Sequence, residues 1–112
     1  MTIQYKNETF DLTTTNITTV LTISTSAVAI VKMVQAVHDT ASAVDTDLFI
    51  RKNGAGAAVQ ISHESINKET VDMLKNTLNL EAGDAIKMQA STADEITGII
   101  SYALIDRSQQ NG

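Results

Sequence analysis

The sequence predicts an all-β protein: an antiparallel β-sandwich, Ig-like or jelly-roll-like, of about seven or eight short strands. Three observations carry this. β-branched Thr, Val and Ile alternate at period two through several short runs. An Asn-Gly pair stands between two of those runs. Turn-forming residues separate the remainder at short intervals.

Taken in order, the first strands fall near Phe10–Leu12 and Ile17–Ser24, where Thr alternates with Ile17, Leu21 and Ile23. Val28–His38 fits two templates. Ala27, Ile30, Val31, Val34 and Val37 form a helical stripe, whereas Val28, Ile30, Val34 and Ala36 form a period-two face broken at Lys32. The density of Val and Ile favours a strand. After a loop at Asp39–Ala43, Val44, Thr46, Leu48 and Ile50 alternate with Asp45, Asp47, Phe49 and Arg51, the pattern of a half-buried strand. Asn53-Gly54 suits a type I′ hairpin, because both central residues of that turn need positive φ. The returning strand is expected at Ala57–Ser62.

The stretch from His63 to Leu78 reads either as a helix or as a loop leading into a strand at Val71–Lys75. Gly83-Asp84 marks a tight turn before Ile86, Met88 and Ala90, which alternate with Lys87 and Gln89. The final strand, Ile96–Ile105, is apolar on both sides, which places it centrally in a sheet or at a subunit contact. Residues 1–112 are expected to form one domain, with residues 1–8 as an N-terminal arm and 106–112 as a polar tail.

Composition narrows the function classes. Hydrophobic residues make up 43% of the chain but aromatics only 4%, with no Trp, so stacking platforms for sugars or bases are poorly supplied. A net charge of −5 with scattered basic residues argues against nucleic acid. The longest apolar run, AVAIVKMVQAV, is about half a membrane span and contains Lys32, and the N-terminus lacks the layout of a secretory signal, so neither membrane nor secretion is expected. Without cysteine there is no disulfide or thiolate metal site.

Candidate chemistry is sparse. His38 with Asp39 and His63 with Glu64 are the only close pairs for acid-base work, and neighbours on a strand face opposite ways. Both histidines read as surface residues of loops or strand ends. Asp45 with Asp47, and Glu81 with Asp84, could approach a cation, but their spacing lacks the denser oxygen ligands of a calcium loop. Asp84 is better explained as a turn residue bonding nearby backbone. Asn53–Ala57, NGAGA, lacks the Lys and Ser/Thr of a phosphate loop and reads as a hairpin tip. No catalytic residue, cofactor or metal is expected.

Several segments together resemble small virion structural proteins of tailed bacteriophages: YKN at Tyr5–Asn7, DLTTTNITTVLT at Asp11–Thr22, TSAVAIVKMVQAVH at Thr25–His38, LEAGDAIKMQAS at Leu80–Ser91 and IISYALI at Ile99–Ile105. The resemblance covers both ends and leaves Ala41–Asn79 unmatched. It departs from the family at Ser24–Ser26, where relatives often carry proline. It implies a β-sandwich accessory protein of the virion, a capsid decoration or cement module assembled in the host bacterial cytoplasm. A neck, tail or fibre component is the alternative, and a carbohydrate-binding adhesin a more remote one. The implied partners are further copies of the chain, with a trimer favoured, and the major capsid protein or other virion proteins. Since a domain of this size buries only about two thirds of its unfolded surface, the surplus apolar residues of the two richest strands, Ile30, Val31, Val34, Val37, Ile99, Ile100, Tyr102 and Leu104, are the expected subunit or capsid interface.

Overall fold

Alternation of buried and exposed side chains sets the architecture. The computed structural model describes residues 2–38, 42–53 and 56–106. Nine strands run through them: β1 (Thr2–Leu12), β2 (Thr18–Thr22), β3 (Ala27–His38), β4 (Val44–Arg51), β5 (Val59–Ile66), β6 (Glu69–Asp72), β7 (Leu78–Leu80), β8 (Ala85–Ala90) and β9 (Ile96–Asp106). All pairings are antiparallel. One sheet has the order β1-β9-β3-β6, with β7 also on β3, and the other β2-β8-β4-β5. Successive strands cross between the sheets except at the β4-β5 hairpin and the β6-β7 link. This is jelly-roll order, so of the two expected sandwich types the jelly roll is the one formed.

The ambiguous run forms β3, not a helix. Its single expected face is in fact two. Ala27, Ala29 and Val31 point into the sandwich, then a bulge between Val31 and Met33 inserts one residue, and Val34, Ala36 and His38 point inward after it. Val28 and Ile30 therefore lie on the outer face, opposite to Val34 and Ala36. In β4 the expected alternation is followed residue by residue, with Val44, Thr46, Leu48 and Ile50 all buried.

The stretch after His63 contains no helix. β5 continues to Ile66, and β6 and β7 follow as short edge pieces on β3. β1 is longer than the expected Phe10–Leu12, beginning at Thr2 and pairing along its whole length with β9. β9 is central, between β1 and β3. At Ser24–Ser26 a tight turn forms without proline, the Ala27 N–H donating to the Ser24 carbonyl at 3.3 Å. Gly54 and the tail beyond Asp106 lie outside the described residues, as do Asp39–Ala41 of the expected loop.

The core between the sheets is aliphatic, filled by Leu12, Ile23, Leu48, Ile66, Met73, Leu80, Ile86, Met88, Ile96 and Ile100. β3 on either side of its bulge, β4 and β8 give alternate residues to it, while β1 gives only Phe10 and Leu12 and β5 only Ile66, and this fixes which residues remain for the two outer faces.

Candidate interaction surface

The two outer faces differ in chemistry. On the β2-β8-β4-β5 sheet, β4 and β8 turn Asp45, Asp47, Phe49, Arg51, Lys87 and Gln89 outward, and β5 adds His63 opposite Asp47. Thr15, Asp45, Asp47, His63, Gln89 and Ser91 line a shallow groove of about 440 Å³. Here His63 Nδ1 lies 2.5 Å from Asp47 Oδ1, which also accepts from Gln60 Nε2 at 3.2 Å. The hydrogen bond to Asp47, together with its charge, raises the His63 pKa above 6.5. Asp47 is thus occupied by side chains of the protein, and the groove is polar, while Val59 and Ile61 of β5 are exposed elsewhere on this sheet.

The outer face of the β1-β9-β3 sheet is different. Rows of paired residues cross it: Ile3, Ile105 and Val28; Tyr5, Ala103 and Ile30; Asn7, Ser101 and Met33; Thr9, Ile99 and Gln35. Ile3 is 55% exposed and Tyr5 80%, while Val28, Ile30, Met33, Ile99 and Ile105 are half-buried. The Tyr5 ring reaches across β9 to Lys32, whose Nζ stands 5.8 Å from the ring centroid. Between these strands Ala103 is covered. The result is a largely apolar face crossed by one row in which Ser101 donates to Asn7 at 2.7 Å and only Met33 is apolar, and exposed apolar area of this kind is what protein contacts cover.

Of the eight residues expected at an interface, three lie on this face: Ile30, Val37 and Ile99. Val31, Val34, Ile100 and Tyr102 face the core and are buried within the chain, and Leu104 packs against that core. The same face also carries Ile3, Tyr5, Val28, Met33 and Ile105. Strand parity decides this, and a bulge that inverts parity leaves no mark in composition. Ile3 and Tyr5 were detectable only as isolated apolar residues in a polar segment.

The remaining ionisable candidates are structural. Asp84 is buried, and its carboxylate accepts from Lys52 Nζ at 2.5 Å, the Glu81 N–H at 2.8 Å and the Asn53 N–H at 3.0 Å. Burial pushes its pKa up, but the Lys52 ammonium and the two backbone donors outweigh this and hold it below 3.8. Lys52 also bonds Glu81 at 2.8 Å, so the acidic pair weighed as a cation site already shares an ammonium. The same turn joins the end of β2, since the Ile23 N–H donates to the Asp84 carbonyl at 2.9 Å. Gly83 has φ 83°, and a Cβ there would meet the Asn53 side chain at 2.4 Å.

His38, expected at the surface, is 1% exposed. Its Nδ1 lies 3.2 Å from the Glu95 carbonyl oxygen and its Nε2 against that of Ser42. It ties the end of β3 to two neighbouring segments. Its partner in the expected pair, Asp39, is outside the described residues. Among the described residues no three His, Asp or Glu side chains come together as metal ligands would.

Comparison with known proteins finds likeness at the level of fold. No protein-family model matches the sequence, and no curated protein matches it. Solved structures do match. A chain of the acidic stable capsid structure of Helicobacter pylori bacteriophage KHP30 superposes with a TM-score of 0.55 at 9% identity, over 96% of this chain and 90% of that one. The appendages of Bacillus endospores, described as disulfide-linked pili, give 0.52 at 14% identity, over 95% and 88%. At these identities the likeness is one of fold. The present chain has no cysteine, so the linkage of the pili has no counterpart in it.

Proposed function

We propose that the protein is a structural subunit of a virion, a decoration or cement module on the head of a tailed bacteriophage, docking through the outer face of its β1-β9-β3 sheet. The observation that carries this reading is the contrast between the two sheets. One outer face is centred on the charged groove of Asp45, Asp47 and His63, although Phe49 on β4 and Val59 and Ile61 on β5 add apolar area to that sheet, while the other leaves Ile3, Tyr5, Val28, Ile30, Met33, Ile99 and Ile105 partly uncovered. Covering such side chains removes apolar area from water, and that is the main driving force of association. The sheet bearing the groove then faces solvent.

The net charge of −5 disfavours close approach of identical copies, so association needs buried apolar area or locally complementary charges to offset it. The chain works through interfaces, with no catalytic step. It bridges neighbouring capsomers and resists internal pressure by the area it buries, and a trimer fits the local three-fold positions of a capsid. The jelly-roll fold shared with a chain of a phage capsid structure supports the reading as a fold likeness.

The test is quantitative mass spectrometry of purified particles, joined to add-back of purified protein to particles that lack it. The reading expects hundreds of copies per particle and saturable rebinding that raises the thermal limit of the head. A handful of copies would move the protein to the neck, tail or fibre. Absence from particles, with no rebinding, would end the virion reading.

A further inference from the structure

We infer that two copies of this chain join edge to edge through β1, antiparallel about a two-fold axis at Asn7, so that their two five-stranded sheets continue as one. The inference goes beyond the virion reading and stands without it.

β1 is terminal in its sheet, and among the described residues no strand pairs with its other edge. Eleven residues at about 3.3 Å each present roughly 36 Å of backbone donors and acceptors. Ile3 through Thr9 are exposed on both faces of the strand, and only Phe10 and Leu12 are covered by the opposite sheet. Natural edges are usually blunted by proline, by bulges, by short length or by inward-pointing charges. β1 has no proline, no register shift against β9, and the length of a central strand. Charges are the one device left.

Those charges complement each other when the strand meets a copy of itself. Lys6 and Glu8 are two apart and share the core-side face, while Asn7 between them is the midpoint of Thr2–Leu12. Antiparallel pairing centred on Asn7 sets Lys6 of each copy opposite Glu8 of the other, twice, and overlaps all eleven residues. Centring on Lys6 or on Glu8 instead brings like charges face to face, which is unfavourable. Full overlap and charge pairing thus select the same register.

The geometry also extends the aliphatic face. In this register core-side residues pair with core-side residues, so Ile3 and Tyr5 of both copies fall on one continuous outer face. The two patches merge across the axis. A two-fold edge contact leaves that face free, so it can link trimers or other rings without closing one itself.

The test is sedimentation of the purified full chain across a concentration series, with circular dichroism confirming that each variant is folded. The wild type is expected to dimerise. Lys6→Glu and Glu8→Lys should each weaken the dimer roughly tenfold or more, since each turns two attractive facing pairs into repulsive ones. The doubly swapped variant, Lys6→Glu with Glu8→Lys, should recover it. In a chain without cysteine, Asn7→Cys should form a disulfide dimer on mild oxidation, because facing Cα atoms lie within disulfide reach. Gln4→Cys, off the axis, should not. A wild type that stays monomeric, or a dimer that ignores the single reversals, or one that the double swap fails to restore, would overturn the two-fold edge. Incorporation into particles by a protein that is monomeric in solution would overturn it while leaving the virion reading intact.

Discussion

Phe10 lies across Gly98, its register partner on the adjacent strand, so closely that a Cβ on Gly98 would stand 2.4 Å from the ring Cζ and 2.0 Å from the Gln35 carbonyl oxygen. The ring closes the gap that glycine leaves in β9 and covers the backbone there, the device known as aromatic rescue of a strand glycine. Glycine elsewhere in a strand is a weakness, but here the pair anchors the inner end of β1 to the sheet.

Gly98→Ala should therefore destabilise the protein by about 1–3 kcal/mol through overpacking, and Phe10→Ala by about 3 kcal/mol or more through the cavity it opens. Denaturant unfolding measures both. The two changes share one contact, so the double variant should cost less than the sum.

The Asp84 turn predicts an acid limb to stability. Its folded pKa is depressed below the ordinary 3.8, so its contribution is fully present above that value and is lost as pH falls through the folded pKa. Asp84→Ala should cost about 2–3 kcal/mol at neutral pH, because the two backbone donors lose their acceptor. The same variant should flatten the wild-type loss below pH 3.8. Lys52 is raised above 10.5 by its bonds to Asp84 and Glu81, so its share is present below that value and lost as pH rises through the folded pKa. Unfolding curves across both windows test the signs.

His63 should titrate above the ordinary imidazole value of 6.5, since its hydrogen bond to Asp47 favours the charged form. The stabilisation it carries is present below 6.5 and disappears as pH rises through the shifted pKa. An NMR titration of the imidazole should show Asp47→Asn moving it back toward 6.5.

Adjacent residues of β9 separate folding from docking. Ile100 is fully buried and Ile99 lies on the outer face. Ile100→Ala should cost about 2–5 kcal/mol of stability. Ile99→Ser should cost about 1 kcal/mol or less and yet weaken binding to the assembly. Thermal melts and particle rebinding read the two effects apart.

Legibility in the sequence followed how differently the two faces of a strand are solvated. β4 has one dry and one wet face, and its buried residues are plain from alternation alone. β3 and β9 carry apolar residues on both faces, so their strand character or central place was readable but not which face was which. The bulge after Val31 then reversed the inward set. The first eight residues of β1 are wet on both faces and carry no period at all, so their strand, with Ile3 and Tyr5 on it, was invisible. The burial of His38 is not legible in the sequence, because it depends on carbonyls of Glu95 and Ser42 brought to it only by the fold.

In the proposed function, other protein chains cover the apolar outer face of β1, β9 and β3. A cryo-EM reconstruction of the native particle tests this most directly. It should show side chains of neighbouring subunits packed over Ile30, Ile99 and Ile105, with Asp45 and Asp47 facing solvent. A map in which that aliphatic face stands open to water, and the acidic sheet makes the contacts, would contradict it.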